Sequence, residues 1–401
     1  MLRSMTPGGV VVRCGVNALQ YAFQAGVRND GEQGRSVLKR RSIWFIALML
    51  VLSLVAAACS DEPEDEAGGN GDGNGAEEEV DFLACQVTDT GGVDDRSFNQ
   101  TAYDGLVQAE EELGIQTAVL ESQSDADFEP NISTFIDQGC DLIITVGFLL
   151  GDATAAAAEA NPDQLFAIVD NDFFDADTGD DVTYDNVREL TFATDEAAFL
   201  AGYVSSAMSE TGTLGTFGGL NLPTVTIFMN GFQRGMEYYN EQEGADVQLR
   251  GWNAESQNGL FAESFEDLDK GRQLGQDLIN EGADVIMPVA GPVGLGTAEA
   301  AQDAGNTSMV WVDTDGCVSA SDYCSLFLTS VMKNMDVAVF DTIEAAINDE
   351  FEGGLYVGTL ENDGVAVAPY NEFDSQVPQE VKDAVEEIKS GIIDGSISAQ
   401  G

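Results

Sequence analysis

Between positions 88 and 100 the chain concentrates groups able to grip a small polar molecule: Asp89, Asp94, Asp95, Ser97, Phe98 and Asn99. A carboxylate accepts hydrogen bonds from N–H and O–H groups, an amide both donates and accepts, and an aromatic ring offers a face for stacking. Gathered at one edge, these groups suit a planar polar ligand such as a nucleobase. The 401 residues include no histidine. That removes Ser–His–Asp and Cys–His catalysis and every histidine-ligated metal site. The cysteine spacings fit no compact zinc cluster, so neither a metal nor a cofactor is expected. Paired acids alone serve glycosidases, which leaves a secreted hydrolase built on Asp89 and Asp170 as an alternative. The glycines from Gly291 to Gly296 lack the Lys-Ser/Thr ending of a phosphate loop and read as a tight strand-to-helix turn.

The elements that must hold these groups follow from hydrophobic periodicity. Phe82 to Val87 is a short apolar run that reads as a buried strand, and Phe98, Ala102, Leu106, Ala109 and Leu113 recur at helical spacing. Gly91 and Gly92 let the chain turn between them, and Asp94, Asp95 or Ser97 can cap the helix. Asp89, Phe98 and Asn99 therefore sit at the carboxyl end of the first strand, where open α/β sheets bind ligands. Strand-like runs (Thr117–Leu120, Leu142–Val146, Leu165–Val169) alternate with helical ones (Phe128–Gln138, Ala153–Ala160). The second half repeats the alternation with strands at Leu214–Phe217, Val247–Leu249, Val285–Met287 and Met309–Val312. Such alternation predicts parallel sheets with right-handed crossovers, flanked by helices. Two blocks of similar length predict two lobes with a cleft between them.

The turn at residues 88–100 resembles the first strand–helix turn of the basic membrane protein (BMP) family, the purine nucleoside receptor type of ABC-transporter substrate-binding lipoproteins. The likeness continues in order through Phe166–Asn171, Ile227–Gly235, Gly282–Gly296, Val310–Asp315 and Leu328–Asn334. It implies a two-lobed type I periplasmic-binding-protein fold and a receptor without catalytic residues. It further implies that the receptor delivers nucleosides, purine above all, to an ABC permease and its ATPase. By the same resemblance Phe98 and Phe265 sandwich the base from opposite lobes, and Asp89, Asn99 and Asp170 read its edge. Asp313, with Asp315 in reserve, Lys333 and the backbone at Gly291 hold the ribose. Gly147 and Phe148, at another strand end, rank lower as lining. Phe265 taken alone could equally pack beside Leu268, and Asp89 and Asp170 could equally serve as turn caps. Three crossings between lobes are implied, and we place them near Met208, near Gly316–Leu326 and near Gly354. Lobe 1 then spans 80–208 plus about 320–352, and lobe 2 spans 209–319 plus about 353–401. The competing readings are a receptor for a sugar or other small polar metabolite, and a ligand sensor domain.

Charge and export agree with a receptor. The chain carries 16 basic against 71 acidic residues, a balance that repels nucleic acid, anionic headgroups and charged nucleotides but not a neutral nucleoside. Lys39-Arg40-Arg41, the apolar run Ile43–Ala58 and Cys59 form a secretory signal that ends in a lipoprotein box. Sixteen residues are short for a membrane span, which needs about 20. Lipidation at Cys59 predicts an extracytoplasmic monomer anchored to the cell membrane. Residues 1–58 read as an upstream extension plus signal peptide, with initiation nearer Val37. Residues 59–79 read as an acidic, glycine-rich tether. Cys85, Cys140, Cys317 and Cys324 remain, and an even count in an exported chain points to two bridges, with free thiols as the alternative. Cys317 with Cys324 would pin a short loop, and Cys85 with Cys140 would pair across the first lobe.

Overall fold

The computed structural model describes residues 80–174 and 178–400, all within one compact unit spanning 74–401. The anticipated signal, Cys59 and tether lie outside the described residues. The first half alternates β1 (Leu83–Thr88), α1 (Phe98–Leu113), β2 (Gln116–Glu121), α2 (Phe128–Gln138), β3 (Leu142–Val146), α3 (Gly151–Ala160), β4 (Leu165–Val169) and β5 (Val187–Phe192). There follow α4 (Thr194–Met208), β6 (Thr213–Gly218), α5 (Pro223–Glu243), β7 (Gln248–Arg250) and the small hairpin β8 (Trp252–Asn253) and β9 (Asn258–Gly259). The rest comprises α6 (Leu268–Asn280), β10 (Val285–Val289), α7 (Val293–Ala304), β11 (Ser308–Asp313), the short α8 (Gly316–Ser319) and β12 (Phe327–Lys333). The chain ends with α9 (Met335–Ile347), β13 (Gly354–Gly358), β14 (Val365–Val367) and α10 (Gln379–Ile393).

Two six-stranded sheets result, in the orders β13-β5-β4-β3-β1-β2 and β14-β12-β11-β10-β6-β7. All pairings are parallel except β12 with β14. The apolar strands β3 and β10 are buried along their whole length, because helices cover both faces of a parallel sheet. Phe128, Ile132 and Phe135 pack against Ile143, Phe166 and Ile168 on one face of the first sheet. Leu274, Leu278 and Val293 pack against Phe217 and Ile286 in the second. The disulfides are Cys85–Cys140, which fastens β1 to the turn before β3, and Cys317–Cys324 beside β12.

The lobe boundaries differ from those read in the sequence. Strand β12 pairs with β11 and so belongs to lobe 2, whereas β13 pairs with β5 in lobe 1. Helix α4 packs on α5, α10, β12 and β14, all of lobe 2, and α9 packs on α1, β3 and β5 of lobe 1. The crossings therefore lie at Ala193, at Asn334 and between Thr359 and Gly364, not near Met208, Gly316–Leu326 and Gly354. The cause is tertiary. A Cβ at Gly202 would lie 2.1 Å from the Phe232 carbonyl oxygen, and one at Gly235 would lie 1.9 Å from that of Phe199. Glycines on both helices thus let α4 and α5 touch backbone to backbone, which draws α4 into the second lobe.

Candidate functional site

In each sheet the strand order reverses at the first strand of its lobe, with β1 between β2 and β3, and β6 between β7 and β10, all parallel. This is the switch point at which open α/β sheets receive ligands, beyond the carboxyl ends of the strands. The two switch points face one cleft, which leaves about 610 Å³ of free space including its opening to solvent.

Lobe 1 supplies Asp89 directly after β1, with its amide bonded to the Val146 carbonyl at 3.1 Å. The Asn99 side-chain amide donates to Asp89 Oδ1 at 2.9 Å, and the Asn99 carbonyl oxygen is buried with no protein partner. Gly147 makes the arrangement possible, since its φ is +119° and a Cβ there would stand 2.4 Å from Asp89 Oδ2. Of the three expected caps, Asp95 serves: it accepts the backbone N–H groups of Ser97, Asn99 and Gln100 at 2.9, 2.8 and 3.0 Å. That fixes the start of α1 and the direction of Phe98, which is partly buried at the cleft wall.

Asp170 follows β4 with φ +65°, an uncommon conformation for a non-glycine residue that clusters at functional sites. Its carboxylate meets Lys333 Nζ at 2.5 Å, although Lys333 ends β12 of the other lobe. Lys333 is 2% exposed and lies over the rings of Phe98, Phe228 and Phe192 at 5.0, 5.4 and 5.7 Å. An ammonium over aromatic faces is held by their quadrupoles, which together with Asp170 answers the loss of water.

Lobe 2 mirrors this design. Asp313, the last residue of β11, has φ +70° and accepts the Ser97 hydroxyl of lobe 1 at 2.6 Å. Gly291 follows β10 with φ +53°. Phe265 packs closely on Gly219, where a Cβ would stand 2.2 Å from the ring. All eight ligand residues named from the resemblance line this one cleft, as do Gly147 and Phe148. Asp315 turns away and caps α8, accepting the Cys317 amide at 2.9 Å. Phe228, Val225 and Asp95 also line the cleft. Phe228 was missed because Val225, Phe228 and Phe232 recur at the spacing of any core-facing helix stripe.

The cleft is rich in buried carboxyls. Burial pushes Asp89 up to about 8, against the Asn99 hydrogen bond and with repulsion from Asp95, Asp170 and Asp125 adding to the rise. Burial also raises Asp95 to about 6, although three backbone N–H groups oppose it. Asp170 and Asp313 are raised by burial too, with Lys333 acting against the shift at both. The site thus presents an acid–amide couple at Asp89–Asn99 and, across the lobe boundary, the Lys333–Asp170 pair.

The pattern of the family described as "ABC transporter substrate-binding protein PnrA-like" matches residues 82–400. The chain is 32% identical over 379 residues to the CD4+ T-cell-stimulating antigen of Listeria monocytogenes, covering 90% of this chain and 98% of that protein. It is 30% identical to the ABC transporter nucleoside-binding protein BmpA of Lactococcus lactis, over 90% of this chain and 99% of that one. Among solved structures, a solute-binding protein of an Aeropyrum pernix ABC transporter system superposes with a TM-score of 0.69 at 24% identity, over 79% of this chain and 92% of that one. One from Conexibacter woesei gives 0.61 at 19%, over 79% and 98%. At these identities the structural likeness establishes the two-lobed binding-protein fold and no more. Pattern, relatives and fold together place the chain in the Bmp family, as a PnrA-like substrate-binding protein of an ABC transporter.

Proposed function

We propose that the protein is a lipid-anchored receptor that captures nucleosides, purine nucleosides first, and hands them to an ABC permease and its ATPase. The observation that carries this reading is the division of the cleft. An aromatic ring from each lobe, Phe98 and Phe265, flanks a space whose lobe 1 wall carries Asp89–Asn99 and whose other end carries Asp313 and Lys333. Stacking of a base on an aromatic contributes roughly 1–3 kcal/mol. Two such contacts from different lobes reward closure. A carboxylate such as Asp313 can accept two neighbouring sugar hydroxyls through charge-assisted bonds. The name of the Lactococcus lactis relative, a nucleoside-binding protein, supports the same ligand class. Capture and release need no covalent step.

The anchor is Cys59, which ends the apolar run Ile43–Ala58. The acidic tether of residues 59–79 lets a monomeric receptor reach its permease. Among the described residues no helix is long and apolar enough to cross a membrane. Calorimetric titration against nucleosides, free bases, nucleotides and sugars tests the ligand. Nucleosides are expected to bind and nucleotides to bind weakly. Binding confined to sugars, or turnover of any glycoside, removes the nucleoside receptor.

A further inference from the structure

Ser97 and its neighbour Arg96 belong to lobe 1, yet both bond to β11 of lobe 2. The Ser97 hydroxyl donates to Asp313 Oδ2 at 2.6 Å and lies 3.3 Å from the Val312 carbonyl. The indole N–H of Trp311 donates to the Arg96 carbonyl at 3.4 Å. Ser97 has no exposed surface, and its backbone is fixed on both sides. Its amide is held by Asp95, and its carbonyl accepts the Thr101 amide and hydroxyl. Arg96 takes φ +59° to make the turn. A hydroxyl fixed in this way is a preset donor, and among the described residues no other side chain donates to the Asp313 carboxylate.

We propose that Ser97 is a positioning residue that turns one oxygen of Asp313 inward across the lobe boundary and leaves the other for the ligand. With the Trp311–Arg96 bond it forms a clasp that joins the lobes around an occupant. One hydroxyl hydrogen serves one acceptor, so the bond to the Asp313 oxygen at 2.6 Å dominates over the Val312 carbonyl at 3.3 Å. When the lobes part, Asp313 exchanges this donor for water. Closure and the orientation of the sugar-binding carboxylate are then one event. The positioning role rests on the nucleoside reading above, whereas the clasp does not.

The test uses the full chain as wild type, Ser97→Ala, Asp313→Asn and the double variant. Titrated with guanosine, Ser97→Ala is expected to bind roughly tenfold more weakly, through faster dissociation. In the Asp313→Asn background the same change should cost less than about twofold, because coupled residues are non-additive. Equal losses in both backgrounds overturn the positioning role. Small-angle scattering of the protein without guanosine reads the clasp separately. Ser97→Ala, and Trp311→Phe, which keeps a ring and deletes the donor, should both enlarge the radius of gyration. Scattering identical to wild type in both variants overturns the clasp. If wild type takes no guanosine, the nucleoside reading and the positioning role fall together, and scattering alone decides the clasp.

Discussion

Phe98 does two things at once: it lines the cleft, and its ring lies 5.0 Å from Lys333 Nζ. Phe98→Ala should therefore weaken nucleoside affinity by about 1–3 kcal/mol, roughly fivefold to 150-fold, while the fold persists. Calorimetry checks it, and an unchanged affinity removes the stacking contact. Asp89 makes a different prediction, because its folded pKa of about 8 exceeds the ordinary 3.8. A carboxyl raised in this way favours the folded state where it is protonated. That stability is complete below about 4 and is lost as pH climbs through 8. Asp95, at about 6, adds a loss confined to the lower part of the window. Thermal melts of the ligand-free protein should fall between pH 4 and 8. Asp89→Asn, neutral throughout, should flatten the curve between 6 and 8 and leave only the share of Asp95 in the slope below 6. A variant that keeps the full slope would show that Asp89 ionises normally.

At the scale of elements, the contact of α4 with α5 determines the lobes. Gly202, Gly231 and Gly235 each face a backbone atom of the other helix at a distance no Cβ tolerates. Gly235→Ala should destabilise the protein by about 1–3 kcal/mol through overpacking, measured by urea denaturation. Helix propensity alone would favour alanine by about 0.8–1.0 kcal/mol. A stabilised variant would therefore mean that the helices do not meet there. This contact also shows why the sequence misplaced the crossings. Helix Thr194–Met208 and strand Phe327–Lys333 are each a local pattern of their own residues. Neither pattern states which of two similar sheets the element joins.

For the molecule as a whole, charge is the dominant surface property. Against 71 acidic residues stand 16 basic ones, of which Lys333 is spent inside the cleft. The described ion pairs number five, and four of them involve exposed side chains, which contribute little. Self-repulsion therefore goes largely unanswered. Raising salt from about 0.1 to about 1 M shortens the screening length from about 10 to about 3 Å. The melting temperature should rise markedly over that range, while affinity for a neutral nucleoside changes little. A melting temperature that falls with salt would mean that surface ion pairs outweigh the repulsion.

The sequence by itself determined the alternation of elements, the α/β class, the absence of histidine chemistry and the identity of the residues at strand ends. Those features are local: a period of two or 3.6, a cap, a turn glycine, a residue type. Asp89 and Asp170 stood out because a carboxylate that closes an apolar strand differs from its neighbours, whereas Asp313 entered through the family resemblance. Tertiary structure alone decided that Lys333 of one lobe pairs with Asp170 of the other, that Ser97 crosses to Asp313, and that Phe228 faces the cleft. Each depends on the distance between segments more than a hundred residues apart, which helix and sheet packing sets and no local pattern encodes.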